Sequence, residues 1–300
     1  MKTRMNTLVS RKSFTSSDVI EKLISGKDPI SFIDIIVRMT NGSAMTEASI
    51  VKIHDDVTKI EVIDGGDVLQ SANMEEFQAI QSFMTKEMPF QTLTLDDNGV
   101  QTEMTRIHFG YFPFDPDHYL RPQDYDNLEI KVHITMTTAA ATAWAAAGHD
   151  VTIIAGLMEE GYNSYQGFLS NRFARSYSAV DGTEEIVDIP TTQPINMILI
   201  QAFKTATRPD ENIEIVKLDA DDGKHIEMDM YMTELEAQNV TQFGEFSQVL
   251  KKRCTNAGDI IYSDLFLNTS ADVFGATTLT KSSPTSVDCD QIAVETCNQT

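Results

Sequence analysis

The chain has 300 residues, 41% of them hydrophobic, so it can hold two domains of ordinary size and is too apolar to be disordered. Its 45 acids against 23 bases leave a net charge of -22, which argues against direct nucleic-acid binding by the body of the protein, since phosphate contacts need clustered Lys and Arg. The three cysteines, Cys254, Cys289 and Cys297, are too few and too late for a disulfide framework; Cys289 and Cys297 can pair if the tail folds back, but a reducing compartment is the simpler inference.

The first twelve residues carry Lys2, Arg4, Arg11 and Lys12 and no acid. Such an arm suits contact with an anionic membrane or packaged nucleic acid, and a solvated terminus is the plain alternative. No apolar run follows its charges, so it does not read as a signal peptide. The most apolar stretch, Ala139 to Met158, is interrupted by His149 and Asp150 and does not read as a membrane span. Residues 14–29 are predicted to hold a short helix capped by Ser17, with Val19, Ile20, Leu23 and Ile24 on one face.

From Ile30 the pattern predicts strands over 30–39, 49–53 and 59–63, with Asn41-Gly42 as a turn. A helix follows Asp67: Asn73 and Glu76 have the form of a capping box, Phe77, Ile80 and Met84 share a side, and Pro89 forbids continuation. Strands resume over 91–95 and 101–109. A Pro-containing excursion spans 110–127, and strands over 129–136 and 151–157 complete about eight, with one inserted helix. The simplest reading is an antiparallel sandwich closed near residue 158. Glu159 to Ser170 has no period and two glycines, as a tether would.

The second half repeats this programme, with strands predicted over 172–179, 184–189, 196–202, 213–218, 224–228, 260–268 and 291–296. Ile215 to Leu218 stands where Ile50 to Ile53 stood, about 165 residues earlier, and Ile226-Glu227 matches Ile60-Glu61. Thr233 with Glu236 repeats the capping-box form of Asn73 with Glu76. The predicted organisation is a basic arm and short helix over 1–29, a first sandwich over 30–158, a linker over 159–170, and a second sandwich with a tail over 171–300. The fold class is all-β.

Nothing in the sequence assembles into a reactive centre. The histidines at 54, 108, 118, 133, 149 and 225 lack metal-ligand spacing. Asp219-x-Asp221-Asp222-Gly223 fails as a calcium loop, because Gly falls at its fifth position and Met230 at its twelfth, and it reads as a hairpin turn. There is no G-x-S-x-G elbow and no phosphate loop. Trp144, the single tryptophan, reads either as a sugar-stacking residue or as a core anchor. No catalytic, cofactor-binding or metal-binding residue is assigned, and no cofactor is expected.

Several stretches, in order, resemble one family. They are Ile60-Glu-Val-Ile-Asp-Gly-Gly-Asp-Val-Leu69 with the Glu75-Glu76 helix; Ile107-His-Phe-Gly-Tyr-Phe112 with Asp115, Leu120-Arg-Pro122 and Asn127-Leu-Glu-Ile130; and Gly167-Phe-Leu169, Ile186-Val-Asp-Ile-Pro190, Leu199-Ile-Gln-Ala202 and Ile213 to Leu218. Together they resemble the double jelly-roll major capsid proteins of tailless icosahedral bacteriophages, many with an internal membrane. The resemblance spans roughly residues 30 to 235.

It implies two tandem eight-stranded jelly rolls, each with a short inserted helix, and a non-enzymatic role: pseudo-hexagonal homotrimers that tile an icosahedral shell. The implied partners are other copies of the chain, neighbouring trimers, and penton and minor capsid proteins. The implied place is the virion capsid, after assembly in the host cytoplasm. The resemblance also sets Lys2, Arg4, Arg11 and Lys12 inward, against an internal viral membrane. Two other readings stand beside it: a carbohydrate- or receptor-binding β-sandwich such as a viral spike, and a jelly-roll enzyme.

Overall fold

Alternating Ile, Val and Thr runs become strands only where a second run offers a ladder, and in this chain those partners lie far apart in sequence. The computed structural model describes residues 1–42, 52–87, 89–92, 98–137, 144–176, 178, 180, 182–190, 192–201, 212–220 and 224–243, with the backbone of 248–254, 260–262 and 294–297. The first half contains β1 (Lys2–Phe14), β2 (Asp18–Leu23), β3 (Ile30–Thr40), the single-turn α1 (Ile53–Asp56), β4 (Val57–Asp64), β5 (Asp67–Ala72), α2 (Met74–Thr85), β6 (Gln91–Thr92), β7 (Val100–His108), β8 (Leu128–Ile134) and β9 (His149–Glu160). The second contains β10 (Ile215–Ala220), β11 (His225–Tyr231), α3 (Met232–Phe243), β12 (Gln248–Cys254), β13 (Ile260–Tyr262) and β14 (Val294–Cys297).

The strand order is β1-β9-β3-β7-β6 in one sheet and β2-β8-β4-β5 in the other. Four antiparallel pairs define the wrap: β1 with β9, β2 with β8, β3 with β7, and β4 with β5. Residues 2–160 thus form one long hairpin with the β4–β5 turn at its tip, its two arms rolled so that successive pairs fall in alternate sheets. That is the eight-stranded jelly roll, with the two-residue β6 added at one edge.

Both sheets turn their apolar positions inward. Ile33, Ile35, Val37 and Met39 of β3 meet Ile130, Val132 and Ile134 of β8 and Ile60 and Val62 of β4 in one core, with Val151, Ile153 and Ala155 of β9 beside them. Period-two patterning makes this possible, since a one-residue slip would turn each set to solvent.

The basic arm and short helix predicted over 1–29 are instead the first two strands. β1 pairs with β9 from Lys2↔Glu160 to Phe14↔His149, and β2 pairs with β8 from Asp18↔Ile134 to Leu23↔Glu129. The helical spacing of Val19, Ile20, Leu23 and Ile24 was coincidental; only Ile20 and Ile24 of the four are buried, and Ser17 caps no helix but accepts from the Met136 N–H at 3.0 Å. Ladder partnership outweighs a weak helical period.

The first repeat unit is also shifted by one strand. Ile53 opens α1, and residues 49–51 lie outside the described residues, as do 93–95 of the strand predicted over 91–95. The true hairpin is β4–β5, turning at Gly65-Gly66. Its counterpart is β10–β11, which pairs from Ile215↔Tyr231 to Ala220↔His225, with residues 221–223 of the predicted turn outside the described residues. A helix follows each hairpin directly.

Asn73 and Glu76 form the predicted capping box on α2, at 2.7 and 2.9 Å. On α3, Thr233 and Glu236 already lie inside the helix. The back-bond there comes from Glu234, which accepts from the Tyr231 N–H at 3.3 Å. The hairpin-and-helix repeat is therefore real, in a register different from the one the residues suggested. Among the described residues of 161–201 no strand ladder forms, and the strands predicted over 172–179, 184–189 and 196–202 are not present there.

Trp144 is an anchor and not a surface platform. Its indole N–H donates to Asp56, whose carboxylate also accepts from the Thr137 hydroxyl at 2.7 Å and the Thr137 N–H at 3.2 Å. Asp56 is 2% exposed and its own carbonyl accepts from Thr135, so one buried carboxylate ties α1 to the end of β8 and the start of the β9 approach. Asp56→Ala leaves these donors unpaired in the interior and is expected to cost about 3 kcal/mol. Urea unfolding followed by the fluorescence of Trp144 measures it, and Asp56→Asn should cost less.

Candidate assembly surface

The four basic residues of the predicted arm do not act together. They sit on one extended strand with Lys2 and Arg4 near its start and Arg11 and Lys12 near its end, about 25 Å away at strand rise. Lys2 and Arg4 share Glu159 of β9, at 2.5 and 2.7 Å, and Arg4 also holds Asp28 at 2.7 Å. These acids raise the Arg4 pKa, the Asp28 hydrogen bond being the largest cause. Arg11 stands 3.9 Å from Asp150 with its side chain 69% exposed, and Lys12 has no ion pair among the described residues. Half of the basic strand is thus neutralised by its neighbour in the sheet, and the other half faces solvent.

The excursion at 110–127 and the tether at 161–171 form one unit. Asp115 is buried and folds the excursion on itself by accepting from the N–H groups of Tyr111, Asp117 and His118. Gly110 is required there, because a Cβ would lie 2.6 Å from both the Asp115 Cβ and the His118 carbonyl oxygen. The tether then runs along the excursion: Asn163, Gln166 and Leu169 donate to the carbonyls of Pro116, Asp117 and Phe109, and Tyr119 donates to that of Gly167.

Beyond it, Asn171 covers the outer edge of β5. Its side chain accepts from the Ser71 N–H at 3.0 Å, its own N–H donates to Gln70 Oε1 at 3.1 Å, and Gln70 donates to the Leu169 carbonyl. The sequence reads 159–170 as a tether between halves; β9 runs on to Glu160, and the chain from 161 to 171 is docked and not free. Its anchors, Gln70 and Asn171, carry no sequence signal, because an edge-capping amide looks like any surface amide.

Further contacts join the two hairpin-and-helix units. Phe83 of α2 meets Phe243 of α3 edge-on at 5.1 Å. Lys86 donates to the Gln242 carbonyl at 3.0 Å, placing a cation at the C-terminal end of α3 where the helix dipole favours one. Gln201 donates to Glu75 at 3.1 Å.

The outer face of the β1 sheet is held by ion pairs. Arg106 clamps Asp34 through two bonds, at 2.5 and 2.8 Å, and its guanidinium lies 3.8 Å from the centre of the Phe32 ring. Phe32 in turn lies over Gly156, where a Cβ would stand 2.6 Å from the ring. His108, opposite Phe32 in the ladder, is 6% exposed, and neither ring nitrogen has a hydrogen-bond partner among the described residues. Burial, with Arg106 adding to it, lowers its pKa from 6.5 to about 4.

Among the described residues no three His, Cys, Asp or Glu side chains converge on a common point, and no helix is long and apolar enough to cross a membrane. A partly open cavity beside β1, lined by Arg4, Leu8, Ile24, Asp28 and Leu157 among others, has about 50 Å³, room for water and little more.

Solved structures similar to this chain are viral capsid proteins. One is the major capsid protein of Sulfolobus turreted icosahedral virus, at 12% identity and a TM-score of 0.37 over 55% of this chain and 49% of that one. Another is VP54 of PBCV-1, fitted into a reconstruction of the virophage Sputnik, at 12% identity and 0.38 over 52% and 41%. The chain thus spans half or less of these proteins' lengths. No family model and no curated protein matches the sequence. The jelly-roll assignment rests on strand order, not on these likenesses.

Two outcomes are expected from this geometry. His108 binds its proton more weakly in the fold than in the unfolded chain, so its contribution is complete above pH 6.5, falls between pH 6.5 and about 4, and is level below. Wild type should lose about 3 kcal/mol more than His108→Leu across that window in urea titrations. Separately, Asn171→Ala should speed hydrogen exchange at the Ser71 amide by about fivefold or more while leaving β3 unchanged.

Proposed function

We propose that this chain is a viral major capsid protein without catalytic activity, whose work is assembly. The supporting observation is the paired architecture: a complete jelly roll whose β4–β5–α2 unit recurs as β10–β11–α3. In this reading the second half, from about residue 171, builds a second jelly roll beside the first. Three chains then present six similar lobes, and a pseudo-hexagonal homotrimer of this kind tiles an icosahedral shell.

The docked tether supports the same reading, because lobes that pave a surface need a fixed spacing and a free linker would not provide one. Other trimers, penton and minor capsid proteins are the partners in this reading, the virion capsid is the location, and the host cytoplasm is the place of assembly. Lys2 and Arg4 are engaged by acids of the same chain, which takes half of the basic strand out of any contact with an internal membrane.

The expected result on gel filtration with light scattering is a homotrimer, and electron microscopy of concentrated material should show hexagonal outlines. A monomer that binds glycans would instead support the receptor-binding reading. With -22 on every copy, the closing of trimers into a shell should tighten as salt rises from about 20 to about 200 mM or when millimolar divalent cations are added. Closure indifferent to both ionic strength and chelators would contradict this account.

A further inference from the structure

The jelly roll has four strand edges, and three of them are short or covered. β6 has two residues, β2 has six, and β5 is capped by Asn171 and Gln70. β1 is different: it runs for 13 residues at the end of its sheet, and among the described residues nothing pairs with its outer side. A long bare edge is a pairing hazard that folded proteins remove unless they use it. Its irregularities limit the hazard. The ladder to β9 slips between Thr7 and Val9 and again between Val9 and Lys12, and Arg11 sits at φ 43°, so the edge does not offer an even row of bonds to an endless stack of copies.

Charge indicates what the edge receives. Residues 1–14 carry four bases and no acid in a chain of net charge -22. At the Lys2 end, Glu159 and Asp28 absorb that charge at 2.5 to 2.7 Å, whereas at the other end Asp150 stands 3.9 Å from Arg11 and Glu21 reaches Lys12 through charge alone, with no ion pair to Lys12 among the described residues. The opposite composition lies on the β10–β11–α3 unit. Its described residues hold six carboxylates, Glu214, Asp219, Glu227, Asp229, Glu234 and Glu236, against Lys217 and Lys224. Glu227, Asp229 and Tyr231 share one face of β11, with Ile215 across from Tyr231 and Lys217 across from Asp229, so that face mixes charge with exposed apolar area, as interfaces do.

Building on the capsid reading, we infer that the Arg11–Lys12 end of β1 docks against the acidic face of β10–β11, around Glu227 and Asp229, on a second copy of this chain. The contact joins unlike patches of identical chains, which is the kind that closes into a ring when the rotation per step is one third of a turn. It also explains how strongly acidic copies meet: each approaches through a strand that carries bases and no acid. Because Arg11 and Lys12 are exposed, the contact acts through side-chain charge and leaves the jelly roll itself unchanged.

The test uses the full-length protein. Arg11→Glu with Lys12→Glu is expected to weaken trimerisation by about tenfold or more at low salt, and adding Glu227→Lys with Asp229→Lys is expected to restore it. Unchanged Trp144 fluorescence verifies that each variant is folded. Carbodiimide coupling of trimers reassembled from mixed ¹⁴N and ¹⁵N chains should join Lys12 to Glu227 or Asp229 between chains of different label.

A trimer that survives charge reversal, or coupling found only within single chains, overturns the inference and leaves the capsid reading standing. A wild-type chain that is monomeric at every salt concentration removes the capsid reading, and this inference with it.

Discussion

The structure depends on hydrogen-bond ladders between strands that the sequence holds far apart. β1 is useful only because β9 arrives to pair with it, and β2 only because β8 does. Neither N-terminal strand has a local partner, and an unpaired strand leaves its backbone donors and acceptors without bonds to each other. The tip, β4–β5 with the capped α2, forms from near neighbours, as do the short β6–β7 pair and the β10–β11 hairpin. The remaining pairs form around that tip in order of increasing separation, which makes slow, strongly cooperative folding the natural expectation for this lobe.

The polar groups of the lobe are organised around the same wrap. Asp56 is a buried carboxyl group with no ion pair among the described residues, held by the indole of Trp144 and by Thr137, so hydrogen bonds secure this chain crossing. Asp34 and Arg106 do the corresponding work on an outer face, where a bidentate pair keeps partial access to water and its desolvation is smaller. His108 is the weak member, buried as a neutral ring without a described partner. It makes this face sensitive to acid.

Edges and charge, more than any pocket, shape what the molecule can do. The tether shields β5 while it sets the path of the chain toward the second hairpin. β1 keeps its edge and carries four bases and no acid, and acids of the same chain engage Lys2 and Arg4 closely while Arg11 and Lys12 stay exposed. A protein whose work is self-association needs a surface where like copies repel least, and that strand is the best candidate on the described lobe.

Much of this was legible in the residues. Strands β3, β4, β7, β8 and β9 follow from period-two alternation, α2 and its box from Asn73 and Glu76, and the recurrence of a hairpin with a helix from two similar runs. Those signals are local: burial on one face sets the period, and a cap is complete within four residues. The strand identity of residues 2–23, the register of the repeat, the docking of the tether through Gln70 and Asn171, and the division of the basic residues into paired and free halves came only with the tertiary structure. Each of these depends on a partner about 100 residues or more away, or on which of two possible strands sits at an edge, and no nearby residue encodes either.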